Sequence, residues 1–412
     1  MTDPTTPAAS LPTHCEVLVI GAGPAGSACA RTLALAGVDA VLIDQHAFPR
    51  DKVCGDGLIP DACAALARLG VLEQVMAQAQ AASHVGCVGP SGARIDVPGT
   101  VAVLPRKQLD DILCKAAVAA GARLLPPARF DGPLDDAGPV TGARLRVGDA
   151  SHEIRATWTV LATGAVPQAL IAAGMCERRT PSGIALRGYV KNDAMVGRVT
   201  ALDVVWHRKL RPGYGWIFPC RDGVFNIGVG IAHSHNTLKD GKLGMKDVNL
   251  REVFAAFTEC YAPARELMAG GTLLGELKGA PLRCTLEGAR FSRPGLLVTG
   301  EAAGTTYSFT GEGIGKALET GILAAQAILA GRGQPDAAVR ADYEAHLRAL
   351  KPRFDLYEKA NRVNVHPWLA DLVIWRAKKS PRLLARMSGV LNETSNPGNL
   401  LSLKGLRRLF LE

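Results

Sequence analysis

The 412-residue sequence lacks several patterns that would assign it at once to a class of protein. Its ten cysteines are scattered and form no C-x-x-C pair, which argues against a zinc site, and the chain is too long for a small disulfide-held secreted domain. No run of 18 uncharged apolar residues occurs, and the longest candidate, residues 321–330, is too short to cross a bilayer. We therefore expect reduced thiols and a cytoplasmic location.

Several catalytic motifs are also missing. The sequence has no H-E-x-x-H helix, no G-x-S-x-G turn and no cluster of metal-ligating residues, and its nine histidines are dispersed, so we expect no metal site. Residues 1–13 are rich in Pro, Thr and Ala and lack the basic start and apolar stretch of a secretion signal. We expect them to form a disordered tail.

The most informative segment lies near the N-terminus. An apolar run over 15–20 leads directly into Gly21-Ala22-Gly23-Pro24-Ala25-Gly26, which a helix-forming stretch over 27–36 follows. A second apolar run, residues 40–43, ends on Asp44. The order strand, glycine turn, helix, strand and acid is typical of dinucleotide binding. The alternative is a glycine turn with a structural role only.

Each glycine of this turn has its own predicted task. Gly21 permits the tight turn, Gly23 leaves room for the phosphates, and Gly26 allows the helix to pack closely on the sheet. The helix N-terminus offers free N–H groups and a positive dipole end to the anion. Asp44 lies 18 residues beyond Gly26, where a carboxylate is expected to meet a ribose hydroxyl. This motif does not by itself distinguish NAD from FAD.

The pattern along the chain predicts an α/β protein with a discontinuous Rossmann-type nucleotide domain. Residues 14–181 are predicted to begin this domain and residues 291–334 to complete it. Strand-like runs dominate residues 182–290, which are predicted to form an inserted antiparallel β-sheet domain for the substrate. Residues 335–412 have a helical pattern, and residues 126–142, rich in Gly, Pro and Asp, are expected to be loop. Ligands of such proteins usually bind between the two domains.

Three further segments favour FAD. Arg106 begins a predicted helix over 105–120 and is a candidate clamp for the pyrophosphate, the alternative being a solvated helix start. Ala162-Thr163-Gly164 forms a small-residue turn at a strand end, where the chain can pass the cofactor. The third segment, Thr299-Gly300-Glu301-Ala302-Ala303-Gly304 followed by Gly311-Glu312-Gly313-Ile314-Gly315, supplies a second helix N-terminus. Its backbone donors are placed to stabilise negative charge on a reduced flavin.

With these segments in order, the chain resembles the aromatic-hydroxylase-like superfamily of FAD-dependent oxidoreductases. Two more segments resemble those of one family within it, the geranylgeranyl reductases. Residues 48–58 (Phe-Pro-Arg-Asp-Lys-Val-Cys-Gly-Asp-Gly-Leu) are similar to that family's lysine-x-cysteine-glycine segment. Residues 214–219 (Tyr-Gly-Trp-Ile-Phe-Pro) are similar to its aromatic-tryptophan-x-phenylalanine-proline segment. The family's G-D-A-A-G turn and later G-E-G-I motif are similar to Gly300–Gly304 and Gly311–Ile314.

The resemblance spans about residues 15–330 and implies FAD as the cofactor. The family usually has aspartate where this chain has Glu301, whose extra methylene moves the carboxylate by about one bond length. That carboxylate can still accept a hydrogen bond from a ribityl hydroxyl. The residues that we expect to contact the cofactor are Gly21, Ala22, Gly23, Pro24, Ala25, Gly26, Asp44, Gln45, Arg50, Lys52, Cys54, Gly55, Arg106, Ala162, Gly164, Gly300, Glu301, Gly311, Gly313 and Ile314.

The aromatic segment is predicted to form an apolar wall. Tyr214, Trp216 and Phe218 fall on one face of a strand because side chains alternate. Such a stripe is commonly the packed inner face of a sheet, whereas the resemblance places this strand over the flavin, against an isoprenoid-like chain. We expect substrate contacts from these three residues and Pro219, and catalytic roles for Tyr214 and Trp216.

Cys54 is the third candidate catalytic residue. A lone cysteine is usually a small core residue. Here Lys52, neighbouring glycines and a predicted helix start near Pro60 suggest an electropositive turn around the thiol. The resemblance places Cys54 at the flavin and the substrate, where it would position the substrate or supply a proton.

These features predict a reductase that uses reduced FAD to hydrogenate carbon–carbon double bonds of an apolar, geranylgeranyl-type isoprenoid by hydride transfer. A flavin monooxygenase or halogenase of an aromatic or natural-product substrate shares the fold and stays an alternative. So does a membrane-associated electron carrier to quinone, although the cysteines lack iron–sulfur spacing. Because no second G-x-G-x-x-G occurs, NADPH would bind only transiently, or another external donor would supply the electrons.

The net charge of +9 is concentrated near the C-terminus, where residues 351–412 hold twelve basic and five acidic residues. Nucleic acid, an anionic membrane and a merely solvated helical face are the alternatives. An isoprenoid substrate dissolves in membranes, so we expect peripheral membrane association and no nucleic acid. Residues 366–379 and 401–410 mix aromatic, aliphatic and basic residues, as helices in a membrane interface do.

Overall fold

Two β-sheets organise the chain. The computed structural model describes residues 11–135, 138–232, 248–392 and 394. The strands formed by these residues are, in chain order, β1 (His14–Ile20), β2 (Ala40–Ile43), β3 (Gly57–Leu58), β4 (Gln80–Val88), β5 (Arg94–Val103), β6 (Arg123–Leu124), β7 (Arg129–Pro133), β8 (Gly142–Val147), β9 (Ala150–Leu161), β10 (Gly183–Lys191), β11 (Leu202–Val205), β12 (Gly213–Pro219), β13 (Val224–Ala232), β14 (Thr272–Leu273), β15 (Lys278–Leu282), β16 (Ser292–Arg293) and β17 (Leu296–Val298).

Helices cover one face of the first sheet, and other helices pack against the second sheet. In chain order the described α-helices are α1 (Pro24–Leu35), α2 (Pro60–Arg68), α3 (Leu72–Gln78), α4 (Arg106–Ala119), α5 (Gln168–Ala172), α6 (Leu250–Cys260), α7 (Ala262–Ala269), α8 (Ile314–Ala330), α9 (Asp336–Ala360), α10 (Arg362–Val365), α11 (Trp368–Ala377) and α12 (Pro381–Leu391). Among the described residues, no helix combines the length and the apolar character needed to span a membrane.

The first sheet has the order β16-β17-β9-β1-β2-β6, with β7 and β8 beside β9. β1 pairs in parallel with β2 and β9, and β17 pairs in parallel with β9. These central strands are almost wholly apolar because both faces of the parallel sheet are buried, one by α1, α4, α8 and α9 and the other mainly by strands β7–β9 and the short α5. The carboxyl ends of β1, β9 and β17 lie at one edge and lead into Gly21, Gly164 and Gly300. Three predicted cofactor segments, far apart in sequence, therefore meet at one edge.

The second sheet has the order β14-β10-β13-β12-β11-β4-β5-β3, with β15 paired to β10. Its pairs are antiparallel except for β11 and β4, which run parallel. Three of its strands, β3, β4 and β5, come from residues 57–103 and so lie outside the predicted insert of residues 182–290. The α/β class with two sheets is confirmed, and the domain boundaries stay a prediction.

Most of the predicted elements are present, and one prediction is wrong. Residues 126–142 do not form a continuous loop, because Arg129–Pro133 is strand β7 and pairs antiparallel with β8. Its Gly132 adjoins a register shift and its Pro133 ends the strand, so cross-strand pairing forms the element despite turn-forming residues. The predicted helical character of the C-terminal region is confirmed for residues 336–391. Residues 1–10 and 395–412 lie outside the described residues.

The C-terminal helices fold back across the second sheet. Helix α9 packs on α8, which lies against the first sheet, whereas α11 contacts β4 and α12 contacts β5. Their apolar side chains, among them Leu369, Ile374 and Leu383, form one cluster with Ile95 and Trp206 of the second sheet. Helices α10–α12 thereby become part of the wall of the cavity between the sheets.

Candidate active site

One cavity of about 1090 Å³ is lined by both sheets and by the C-terminal helices. Near the carboxyl ends of the first sheet its lining is rich in glycine and contains Arg50 and Arg106. Farther along, aromatic and aliphatic side chains of the second sheet line it, together with Val363, Ile374 and Leu391 of the C-terminal helices. A single space therefore joins an end that carries two arginines to an apolar end.

The three glycines of the first turn face different surroundings. Gly21 has φ of +101°, and a Cβ there would lie 2.4 Å from the Ala162 carbonyl oxygen. A Cβ on Gly26 would lie 1.7 Å from the Gly21 carbonyl oxygen. A Cβ on Gly23 would instead lie 3.5 Å from Nη2 of Arg50 and 3.8 Å from Nη2 of Arg106. Gly21 and Gly26 are thus required by the protein itself, whereas two guanidinium groups converge on the space before Gly23.

Asp110 holds these two arginines in place. Its fully buried carboxylate accepts hydrogen bonds from Nε and Nη2 of Arg106 at 2.6 and 2.8 Å, and from Nη1 of Arg50 at 3.0 Å. Burial alone would lower the pKa of Arg106, but the Asp110 carboxylate raises it above the usual range. Asp110 thus fixes both guanidinium groups beside the glycine turn, and each guanidinium keeps further N–H donors for an anion. Asp110 was not among the residues predicted from the sequence, although its spacing of four residues from Arg106 on one helix was an available signal.

Asp44 joins the second strand to the glycine turn. Its carboxylate accepts the backbone N–H of Ala22 at 3.0 Å and that of His46 at 3.0 Å, and it pairs with Arg50 at 3.4 Å. Asp44 and Gln45 both line the cavity. The predicted ribose-binding acid thus lies at the cavity edge beside the first glycine turn.

The residues of this end fit a flavin dinucleotide. The side-chain hydroxyls of Thr163 and Thr310 line the cavity, are buried, and have no hydrogen-bond partner among the described residues. A Cβ on Gly164 would meet no protein atom within 4 Å, so the chain leaves space there. Two guanidinium groups, two unpaired hydroxyls and open glycine surfaces match an anionic pyrophosphate with polar sugar and ring groups on either side.

The late glycine motif packs against both the first helix and the aromatic strand. Gly300 has φ of +64°, and a Cβ there would lie 2.5 Å from that of Ala25. Glu301 lines the cavity and accepts a hydrogen bond from the Thr306 hydroxyl at 3.2 Å. A Cβ on Gly311 would lie 2.6 Å from the Tyr214 hydroxyl oxygen. This motif therefore closes the cavity between the two sheets.

A row of aromatic side chains lines the cavity beyond the glycine turns. Tyr214, Trp216 and Phe218 share the cavity-facing side of β12, with successive ring centroids 6.2 and 6.4 Å apart. Trp206 and Phe309, whose rings stack at 6.0 Å, extend the row beyond Tyr214. The Tyr214 hydroxyl donates to the carbonyl of residue 310. The predicted wall is present, and the sequence analysis missed its last two members because they come from other segments.

Most of the predicted site residues lie together at the cavity. Those that line it are Gly21, Gly23, Pro24, Ala25, Asp44, Gln45, Arg50, Lys52, Cys54, Gly55, Arg106, Ala162, Gly164, Tyr214, Trp216, Phe218, Glu301, Gly311, Gly313 and Ile314. Four others, Ala22, Gly26, Gly300 and Pro219, are not among the lining residues. The first three shape the turns by backbone contacts, and Pro219 lies on the opposite side of β12 from Phe218 because strand side chains alternate.

The surroundings of Cys54 favour the neutral thiol. Burial raises the pKa of this thiol, the Asp56 carboxylate raises it further, and Arg106 and Lys52 only partly oppose this rise. The electropositive turn expected from the sequence therefore does not dominate. Cys54 keeps its proton at neutral pH.

Asp56 is a buried charged residue that the sequence analysis missed. It has φ of +64° and accepts the Arg106 backbone N–H at 3.2 Å, the Tyr189 hydroxyl at 2.5 Å and the Asn226 side-chain amide at 2.8 Å. Burial raises its pKa to about 6, although the Tyr189 hydroxyl, the Asn226 amide and the charges of Arg187 and Arg106 oppose the rise. At neutral pH the carboxylate is therefore charged and serves as an acceptor for three donors.

Comparison with known proteins agrees with this site. A sequence model of the FAD binding domain family matches residues 14–208. The chain is 32% identical to a menaquinone reductase of Mycolicibacterium smegmatis over 77% of each chain. It is 30% identical to a digeranylgeranylglycerophospholipid reductase of Methanoculleus marisnigri over 82% of each chain. Its fold is similar to that of a geranylgeranyl bacteriochlorophyll reductase-like protein of Thermoplasma acidophilum, with TM-score 0.69, 22% identity and coverage of 97% and 96%.

Together with the FAD-binding fold and the cavity, the reductase relatives define an FAD-dependent oxidoreductase. More narrowly, the chain belongs to the geranylgeranyl reductase-like family of FAD-dependent oxidoreductases. The reductase relatives imply a small-molecule substrate and an electron donor.

Proposed function

We propose that this enzyme uses reduced FAD to hydrogenate carbon–carbon double bonds of an apolar, isoprenoid-type lipid. The observation that carries the proposal is the single cavity that runs from the paired arginines of the glycine turn to the aromatic row and the C-terminal helices. The names of the relatives support it, because menaquinone and digeranylgeranylglycerophospholipid are both lipids with isoprenoid chains. A long apolar chain would lie along the aromatic row.

The proposed chemistry divides between the cofactor and the chain. FAD, when bound, supplies hydride to one alkene carbon. Tyr214, Trp216 and Phe218 form an apolar wall that aligns the alkene and excludes water. Cys54 holds a proton on Sγ because burial raises the pKa of its thiol, and it gives this proton to the second alkene carbon. Solvent then reprotonates the thiolate, so each cycle adds one hydride and one proton to the double bond.

Product mass tests the proposed reaction directly. The dithionite-reduced enzyme is incubated without oxygen with menaquinone in one arm and with digeranylgeranylglycerophospholipid in the other. We expect a gain of about 2 mass units for each reduced bond, as addition of hydride and proton requires. A gain of about 16 units in air, with no anaerobic product, would instead indicate oxygen transfer of the monooxygenase type.

A substitution tests the role of Cys54. Cys54→Ser should retain FAD and the fold, because serine is nearly isosteric, yet lower kcat or change which bonds are reduced. Unchanged kinetics and an unchanged product pattern would leave Cys54 with a structural role only. The external electron donor is identified in a separate measurement. NADPH or another reductant is mixed with the enzyme before substrate is added, and the rate of flavin reduction is recorded.

We further propose that α11 binds an anionic membrane surface peripherally. Trp368 and Trp375 are 61% and 47% exposed and lie seven residues apart, on one face of the helix. The opposite face contributes Ala370 and Ile374 to the cavity lining. Exposed tryptophans beside basic residues such as Lys379, whose ammonium lies 4.6 Å from the Trp375 ring centroid, suit a lipid interface. The second predicted stretch, residues 401–410, lies outside the described residues.

Vesicle co-sedimentation tests this association. We expect binding to phosphatidylserine-containing vesicles that weakens with salt, since each basic residue near an anionic surface contributes about 1 kcal/mol. The variant Trp368→Ser/Trp375→Ser should lose binding, whereas the control Leu35→Ser/Val196→Ser, at two similarly exposed apolar positions, should keep it. Equal binding of both variants, or binding that ignores lipid charge, would contradict the proposal.

A further inference from the structure

Asn226 lies at the centre of the second sheet. On β13 it is paired with Tyr189 of β10 on one side and with Phe218 of β12 on the other. It is fully buried in a strand that is otherwise apolar or glycine. A polar side chain at such a position is stable only when it is well hydrogen-bonded.

Its side chain makes three hydrogen bonds, and each links a different part of the site. The amide oxygen accepts the indole N–H of Trp216 at 2.9 Å. The amide nitrogen donates to the backbone carbonyl of Cys54 at 2.9 Å and to the Asp56 carboxylate at 2.8 Å. One donor on one side and two acceptors on the other fix the orientation of the amide. Asn226 thereby ties the Cys54 loop to the aromatic wall.

Two glycines bring the loop and the wall into close contact. A Cβ on Gly228 would lie 2.3 Å from the Trp216 ring, so this glycine provides the space that the indole occupies. A Cβ on Gly55 would lie 3.2 Å from the Phe218 ring and 3.6 Å from Nε1 of Trp216. The backbone beside Cys54 therefore rests directly on the wall, and a shift of either one moves the other.

Asp56 provides a second anchor for the same loop. Besides Asn226, its carboxylate accepts the Tyr189 hydroxyl and the backbone N–H of Arg106. The Arg187 guanidinium lies over the Tyr189 ring at 4.2 Å and donates to the carbonyl of Lys52. The loop is thus held at several points, of which only the Asn226 amide contacts both the carbonyl of Cys54 and the wall.

We propose that Asn226 is a positioning residue that sets where the Cys54 thiol stands relative to the aromatic wall. It acts through the Cys54 carbonyl and makes no contact with the reacting atoms itself. This inference rests on the proposed function, in which Cys54 supplies a proton at the wall. The inference adds Asn226, which lies about 170 positions after Cys54 in the chain, to the residues on which this proton transfer depends.

The accessibility of Cys54 tests the inference without turnover. The FAD-loaded protein is treated with iodoacetamide, and alkylation of Cys54 is measured by peptide mass spectrometry relative to half-buried Cys63. We expect Asn226→Ala to raise the relative rate about tenfold, the factor that corresponds to one lost buried hydrogen bond. The matched control Asn192→Ala removes another buried amide, one that lies just beyond the end of β10 and bonds residues 266–267, and it should leave the rate unchanged. An unchanged rate in Asn226→Ala would overturn the inference.

A double-mutant cycle tests whether Asn226 acts through Cys54. On whichever of the two lipids the parent reduces, Asn226→Ala should lower kcat about tenfold with little change in KM. In the Cys54→Ser background the same change should have no further effect, because the group being positioned is already gone. Additive losses would overturn the inference. If Asn226→Ala does not fold, Asn226→Ser, which restores one hydroxyl, replaces it.

The outcomes separate the two proposals. A parent enzyme that reduces neither lipid refutes the proposed function, while the alkylation rates still decide the placement of Cys54. A folded Asn226→Ala protein that has lost FAD would assign Asn226 to cofactor binding and would also overturn the inference.

Discussion

Replacing Gly23 by alanine should separate cofactor binding from folding. Gly23 has φ of −74°, a conformation that alanine adopts without strain. A methyl group there would contact only the guanidinium groups of Arg50 and Arg106, at 3.5 and 3.8 Å. It would therefore occupy the space between two cations that an anion takes, and it would touch nothing that the fold needs.

The expected magnitudes differ strongly between binding and stability. A hydrogen bond to a charged group contributes about 1.5–3 kcal/mol, so loss of both arginine contacts should weaken FAD binding by about 3–6 kcal/mol, or roughly 10²- to 10⁴-fold in Kd. The apo-protein should keep its stability or gain about 0.4–1 kcal/mol, because alanine restricts the unfolded chain. Gly26→Ala is the matched comparison, since its Cβ would lie 1.7 Å from a backbone oxygen. That overlap should cost about 1–3 kcal/mol or more.

Two measurements decide the matter. Urea unfolding of the apo-proteins gives the free energies of unfolding, and titration of flavin fluorescence gives the Kd for FAD. The reasoning predicts a stable, colourless Gly23→Ala protein and a destabilised Gly26→Ala protein. A Gly23→Ala variant with the parent's Kd, or one that loses as much stability as Gly26→Ala, would refute it.

Three further changes give distinct expectations. Asp110→Asn removes the buried carboxylate shared by two arginines and should lower the free energy of unfolding of the apo-protein by about 3–5 kcal/mol in urea, whereas a loss below about 1 kcal/mol would argue against shared charge pairing. Burial raises the pKa of Asp56 from 3.8 to about 6, so the folded state holds this proton where the unfolded chain has lost it. The free energy of unfolding should therefore fall by up to about 3 kcal/mol as pH rises from about 4 to 6. Asp56→Asn should not show this fall. If urea unfolding of the two proteins had the same pH dependence, the prediction would be wrong. Gly228→Ala should displace the Trp216 indole and lower the free energy of unfolding by about 1–3 kcal/mol. It should also lower kcat while the FAD content stays unchanged. A kcat equal to the parent's would show that the position of the indole does not matter.

Local patterns predicted the elements that carry the cofactor site. The strand, glycine turn and helix over residues 15–36 follow from apolar runs and from glycines at fixed spacing, and each feature acts within a few residues. Strand β7 could not be predicted in this way, because Arg129–Pro133 is extended only through its pairing with β8. The same holds for β4 and β5, which join the second sheet through β11, more than 100 residues later in the chain.

The site residues predicted from the sequence were those with a recognisable local pattern. The site residues that were not predicted depend mainly on contacts across long sequence separations. Asp110 had a local signal, because it follows Arg106 by one helical turn. Asn226 had a weaker one, as the lone polar residue within an apolar strand. Asp56 stands in the segment that carried the family resemblance, yet its importance depends on donors 50 to 170 residues away. Hydrogen bonds of this kind exist only after the two sheets have come together.

The route of the chain through its two sheets has a mechanical consequence. The backbone passes from one sheet to the other between β2 and β3, β5 and β6, β9 and β10, and β15 and β16. Because four covalent crossings tether the two sheets more than a single hinge would, we expect wide opening between them to be disfavoured. A protease cut in any one crossing would leave three tethers, and the nicked molecule should migrate as one particle until it is denatured.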